Sequence, residues 1–202
     1  MNSCTLCIIW TYDNVYDVHI SSALLSRILK MEESNPKDFI YDPKLLQEID
    51  FDKEHKIQYN PPISLSKPAP NLVVRPFSRQ DINKAQCDVM FSSPKSYFIT
   101  VIEDTSTGQI VGNATLHVEY KFYKKCGLRG RIEDIAVHEK YRGKQLGKLL
   151  VEVSTLLARR VGCFRVSLHC FAKFIPFYSE QGFYIDELEN LMWLKDSYLE
   201  KN

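Results

Sequence analysis

The chain has 202 residues, 45% of them hydrophobic and 25% charged, with 26 Lys and Arg against 25 Asp and Glu. That length suits one globular domain with an extension, or two small domains, and the composition excludes a disordered, collagen-like or supercharged chain. A net charge of +1 gives no broad field for nucleic acid or an anionic membrane, so anion recognition has to come from a local cluster.

The six cysteines, Cys4, Cys7, Cys87, Cys126, Cys163 and Cys170, form no disulfide ladder. Cys4-x-x-Cys7 lacks a second ligand pair, so no metal site is expected and the thiols read as reduced. The apolar run from Leu6 to Trp10 is too short for a signal sequence. No stretch reaches the roughly 20 apolar residues that a bilayer span requires. The expected location is cytoplasmic, with no membrane span.

In chain order, residues 21–33 have helical spacing that ends at Asn35-Pro36, and Asp42-Pro43 opens a second short helix through Leu45, Leu46 and Ile49. Pro61, Pro62, Pro68 and Pro70 then read as linker chemistry, since proline withholds backbone donors and stiffens the chain. Residues 1–70 are therefore expected to be an extension and proline-rich linker, partly disordered, with the folded domain at 71–202. Strands are expected at 72–76, 97–103, 110–120 and 131–138. On the third of these, Ala114, Leu116, Val118 and Tyr120 share one face, and Thr115, His117 and Glu119 the other. Residues 146–161 form an amphipathic helix, with Lys148, Glu152, Thr155 and Arg159 on its polar side and Gly162 at its end. A strand at 164–170 would put Arg165, Ser167 and His169 on one face. A short helix opened by Pro176 and a last strand near Met192 follow.

The most informative unit is strand, turn, helix. Consecutive backbone N–H groups at a helix N-terminus, with Gly143 and Gly147 allowing close approach, can cradle a phosphate or diphosphate. The pattern is neither a Walker loop nor a Rossmann fingerprint, and a plain glycine-containing loop before a core helix would look the same.

Arg142-x-x-Gln145-x-Gly147 after an apolar strand, followed by Phe177-Tyr178-x-x-x-Gly182-Phe183, resembles the acetyl-coenzyme A signature of the GNAT N-acetyltransferase superfamily. Gly130 to Val137, Tyr141 to Leu150 and Gly162-Cys163-Phe164 further resemble its glucosamine 6-phosphate N-acetyltransferase branch. The resemblance implies the GNAT acyltransferase fold, an α/β (α+β) arrangement with a mixed, mostly antiparallel sheet flanked by helices. It implies acetyl-CoA as co-substrate, held by Ile135, Ala136 and Val137 along the pantetheine arm and by Arg142, Gly143, Lys144, Gln145, Leu146 and Gly147 at the diphosphate, with Tyr178, Ser179 and Glu180 beside it. It places Lys121, Phe122, Tyr123, Lys124, Glu133, Asp134, Phe164, Arg165, His169 and Lys195 at the amino sugar phosphate, in a homodimer. Tyr178 corresponds to the tyrosine that can hydrogen-bond the departing thiolate, and a carboxylate, imidazole or relayed water must take the amine's proton.

Glu133 and Asp134 are adjacent on a strand and point to opposite faces unless a bulge reorients one. His169 stands where the family has a carboxylate, and it could hydrogen-bond a hydroxyl or act as a base near neutral pH. Phe174 replaces a usual asparagine, and residues 82–96 are shorter than the family's helical segment there. The leading expectation is transfer of acetyl to the amine of glucosamine 6-phosphate, toward UDP-N-acetylglucosamine. The alternatives are a GNAT enzyme with another amine acceptor, and a dimeric pseudoenzyme that binds coenzyme A.

Overall fold

The computed structural model describes residues 10–11, 14–15, 38–65, 68–81, 91, 96–122 and 126–186. The expected helix at 21–33, the strand near Met192, most of 82–96, and Tyr123, Lys124 and Lys195 lie outside the described residues. Two compact units divide the chain, Met1–His169 and Cys170–Asn202.

The first unit starts with a small antiparallel ribbon, β1 (Trp10–Thr11) with β2 (Asn14–Val15). Two single-turn helices follow, α1 (Lys44–Gln47) and α2 (Phe51–Glu54). Asp42 Oδ1 accepts the Lys44 N–H at 2.9 Å, so the Asp-Pro pair does open α1. The body of the unit is a five-stranded sheet of β3 (Leu72–Pro76), β4 (Tyr97–Asp104), β5 (Gln109–Tyr120), β6 (Leu128–Val137) and β7 (Cys163–Leu168), in that spatial order. Neighbours are antiparallel except β6 and β7, which run parallel. A parallel pair needs a crossover, and α3 (Leu146–Val161) supplies it, ending at Gly162 in the left-handed conformation.

The core lies between the sheet and α3. Ala114, Leu116 and Val118 are buried on the face that the β5 alternation assigns to the interior, while Tyr120 emerges at the strand end. Leu149, Leu150, Val153, Leu156 and Leu157 line α3 and are buried; each such leucine contributes about 1.5–3 kcal/mol of burial.

The helix differs from expectation on its outer side. Glu152, assigned to the polar face, is buried, as are Val151, Ser154 and Ala158. Residues 38–61 cause this, because they run along α3 as a strap. Ile40, Tyr41, Leu46, Ile49, Phe51 and Ile57 are buried, and Tyr41 exchanges a 2.7 Å hydrogen bond with Thr100 of β4. Glu54 Oε1 meets Arg160 at 2.6 Å, and Glu152 accepts the Lys56 N–H at 2.6 Å and the Tyr59 hydroxyl at 2.9 Å. This stretch was expected only as part of an extension outside the folded domain, with a short helix from Asp42-Pro43 and a proline-rich linker from Pro61 to Pro70. The apolar residues that precede those prolines are too few and too spaced to signal a packed segment by themselves.

The second unit contains α4 (Ile175–Ser179), with Pro176 in its first turn and Gly182 in the left-handed region after it. Among the described residues no helix is long and apolar enough to cross a membrane.

Candidate active site

The register between β5 and β6 sets the geometry. His117 pairs with Arg131, Leu116 with Ile132 and Thr115 with Glu133, but Asn113 then pairs with Ala136 and Gly112 with Val137. Asp134 and Ile135 together oppose the single Ala114, which makes a β-bulge. Asp134 has φ 54°, in the left-handed region, and Asn113 Nδ2 donates to its carbonyl at 2.5 Å. The bulge reverses the alternation. Ile132 is buried on the α3 side with its partner Leu116. Beyond the bulge Val137 shares a face with Gly112, where an added Cβ would lie 3.3 Å from Leu150. Glu133 stays on the outer face and the exposed Asp134 is the bulged residue, so the two carboxylates do not form a pair.

The last β6–β7 partners are Ile132 and Leu168. From Glu133 to Val137, β6 therefore continues with its β7-side edge unpaired among the described residues. That row of main-chain donors and acceptors can take an extended ligand as an added strand.

The edge leads into the loop. A single 3-10 turn, Glu139–Tyr141, is fixed by the Tyr141 hydroxyl, which donates to Asp104 Oδ2 at 2.6 Å. The Ser106 hydroxyl and the Tyr141 hydroxyl hold the Asp104 carboxyl below its usual range, and Asp104 in turn pushes the Tyr141 phenol up. Lys144 Nζ sits 5.1 Å from the Tyr141 ring centroid. Gly143 has φ 78° and Gln145 φ 60°. These left-handed residues turn the chain so that Leu149 N–H is the first to bond back, to Gln145 O at 3.1 Å. The N–H groups of Gly143, Lys144, Gln145, Leu146 and Gly147 make no hydrogen bond among the described residues. The first turn of α3 holds no acidic residue. Outward amides at a helix start, without a carboxylate to compete, fit a diphosphate, and the adjoining β6 edge fits a pantetheine arm.

The outer face of the sheet carries charge. Lys121 and Arg131 both pair with Glu119, Arg131 at 2.6 Å, and Arg131 Nη1 lies 3.5 Å from Glu133. The ion pair with Lys121, and then Arg131, holds the Glu119 carboxyl below its usual value. His117 stacks on Tyr97 with ring centroids 4.9 Å apart. Arg129 is the register partner of Arg165, and Ser167 of Arg131, so both strands bring cations to this face.

Residues 64–183 match the acetyltransferase (GNAT) family. The chain is 38% identical over 174 residues to the protein named "Probable glucosamine 6-phosphate N-acetyltransferase" of Drosophila melanogaster, covering 76% of this chain and 79% of that one. The chain belongs to the GNAT acetyltransferase family. Another member, the glucosamine 6-phosphate N-acetyltransferase of Arabidopsis thaliana, is 35% identical over 105 residues, 50% of this chain and 70% of that one. The crystal structure of glucosamine-6-phosphate N-acetyltransferase from Arabidopsis thaliana superposes with a TM-score of 0.53 at 26% identity, over 61% of this chain and 99% of that one.

In this acetyltransferase the expected cofactor residues of the first unit, Ile135, Ala136, Val137 and Arg142 to Gly147, form one continuous stretch of edge and loop. One detail differs from a simple reading of the motif. The Gln145 side chain turns away from the helix amides: its Oε1 accepts the Asn60 N–H and its Nε2 donates to Pro61 O, each at 3.0 Å. Of the expected acceptor residues, Lys121, Glu133 and Arg165 lie on the outer face. Phe122 is largely exposed and Phe164 partly so, and His169 lies one residue past the end of β7, where alternation no longer fixes its side. Tyr178, Ser179 and Glu180 belong to the second unit. There Tyr178 packs against Phe177 and Phe183, with centroids at 4.9 and 6.3 Å, and burial, followed by the neighbouring Cys170, raises its phenol pKa. Cys163 is likewise pushed up to about 11 by burial.

Sequence reasoning missed the His117–Tyr97 stack, Asn113 as the holder of the bulge, and the contribution of Asn60 and Pro61. Only the polar alternation of β5 pointed to His117. Nothing in the sequence marked the other three: Asn60 and Pro61 act through their own main chain, and the Asn113 amide serves a carbonyl on another strand.

Proposed function

We propose that this acetyltransferase moves acetyl from acetyl-CoA to the amine of glucosamine 6-phosphate, giving N-acetylglucosamine 6-phosphate for UDP-N-acetylglucosamine synthesis, and that it works as a homodimer. The observation that carries the reading is that, among the described residues, the unpaired β6 edge at residues 133–137 runs into the unbonded amides of Gly143 to Gly147. The acceptor is carried over from the named substrate of relatives, which match 76% and 50% of the chain.

Bound acetyl-CoA supplies the acetyl group as a thioester. The loop amides neutralise its diphosphate, and the β6 edge aligns the arm. Lys121 and Arg165 face the sugar phosphate. Glu133 Oε, or the His169 imidazole, takes the proton from the attacking amine, and Tyr178 Oη, kept protonated by its raised pKa, donates to the departing sulfur. Holding both reactants together removes much of the entropic barrier.

Thiol release from acetyl-CoA, followed with a panel of amines, tests the reading. Turnover with glucosamine 6-phosphate and not with other aminosugars, polyamines or lysine peptides is expected. Preferential turnover of another amine would transfer the acceptor role to it. One observation favours that second reading, namely His169 at the position of the expected carboxylate.

A further inference from the structure

Gln145 occupies the residue before α3, a position where Ser, Thr, Asp or Asn would turn back and consume a helix amide. Its left-handed backbone, φ 60° and ψ 13°, is unfavourable for a residue with a Cβ by about 1 kcal/mol or more. Both polar atoms of its side chain are instead engaged by the main chain of Asn60 and Pro61. That segment is anchored independently. Glu152, buried at 5% exposure, accepts from Lys56 N–H and Tyr59 Oη, and Phe51, His55 and Tyr59 form an aromatic cluster with centroid separations of 5.1 and 6.0 Å. Burial and the Glu152 carboxylate raise the Tyr59 phenol pKa, so it remains a donor.

We propose that Gln145 is a positioning residue, tethered by the strap at Lys56 to Pro61, that keeps the loop amides open for the diphosphate of the cofactor. The strap, which lies before the family match at 64–183, is thus a working part of the cofactor site. The tether compensates for the strained backbone and holds the Gln145 side chain away from the Gly147 amide. This inference rests on the acetyl-CoA reading above.

The test compares acetyl-CoA with S-acetyl-pantetheine, which carries the thioester but no diphosphate, and measures coenzyme A binding by calorimetry without an acceptor. Gln145→Ala should weaken coenzyme A binding and raise the acetyl-CoA KM about tenfold, leave kcat within about twofold, and leave kcat/KM for S-acetyl-pantetheine unchanged. Tyr59→Phe, which leaves the loop sequence intact, should reproduce the pattern in weaker form. The double variant should lose no more than Gln145→Ala alone, because the two residues act in series. Equal losses with both thioesters, or additive losses in the double variant, would overturn the proposal while leaving the acetyl-CoA reading in place. A wild-type protein that does not bind coenzyme A would overturn both.

Discussion

The stretch from Glu133 to Gly147 presents main-chain atoms, whereas the outer face formed by Tyr97, His117, Glu119, Arg131 and Arg165 presents side chains. The first region tolerates almost any side chain that leaves its backbone angles alone; its specificity lies in φ values at Asp134, Gly143 and Gln145. The second depends on which residues the register happens to bring together, as with Arg129 opposite Arg165. If the cofactor side is backbone and the acceptor side is side chains, as proposed, the first can stay constant while the second drifts.

The largest expected effect tests whether chemistry belongs to either half. Tyr178→Phe should lower kcat by about 100-fold, the scale of losing one charge-stabilising donor, with the acetyl-CoA KM little changed. Steady-state thiol release reads both, and a matching rise in KM would remove Tyr178 from the chemical step.

The side-chain half is sharpened by Arg165→Ala. The KM for glucosamine 6-phosphate should rise about tenfold or more, the value of a charged hydrogen bond, without a change for acetyl-CoA, and the effect should shrink at high salt.

Gly143→Val probes the backbone half. Open space surrounds the site of the new Cβ, so the effect is conformational: φ 78° is hostile to a β-branched residue. The acetyl-CoA KM should rise by roughly tenfold, with the sugar-phosphate KM unchanged, which is the converse of Arg165→Ala. If both variants moved both constants, the division between the halves would fail.

Glu152→Ala leaves the Lys56 N–H and the Tyr59 hydroxyl without their acceptor, and should lower stability by about 1–3 kcal/mol, measured by denaturant unfolding. The smallest effect concerns pH. The Asp104 carboxyl is held below its ordinary value by Ser106 and Tyr141, so its contribution is present above the normal aspartate range and is lost as pH falls through the lowered folded-state value. Asp104→Asn should therefore lower stability slightly at neutral pH and flatten the acid limb of the stability–pH curve, so that variant and wild type converge in acid.

Much of this architecture was readable from residue order. The α3 limits followed from leucine spacing and Gly162, and the burial of Ala114, Leu116 and Val118 from simple alternation, because both signals are local. The bulge was foreseen only as a condition on Glu133 and Asp134. Its presence depends on Asn113, on another strand, supplying an amide to the Asp134 carbonyl. The strap was hidden for a related reason. Its decisive contacts use the N–H of Lys56, the N–H of Asn60 and the carbonyl of Pro61, groups that every residue or nearly every residue carries, so no letter of the sequence announces them.

The extra residue at Asp134 also acts as a frame setter for the end of β6. Flattening the bulge, with Asp134 taken into the ladder opposite Ala114, would let the strand zip onto β5 without a kink. It would also rotate Val137 outward and Ala136 in toward Leu150, exchanging a filled contact for a gap and redirecting the donors that face the cofactor side. A regular β6 of the same length would make a tidier sheet with its far end turned over, so the irregularity is what the strand has to preserve.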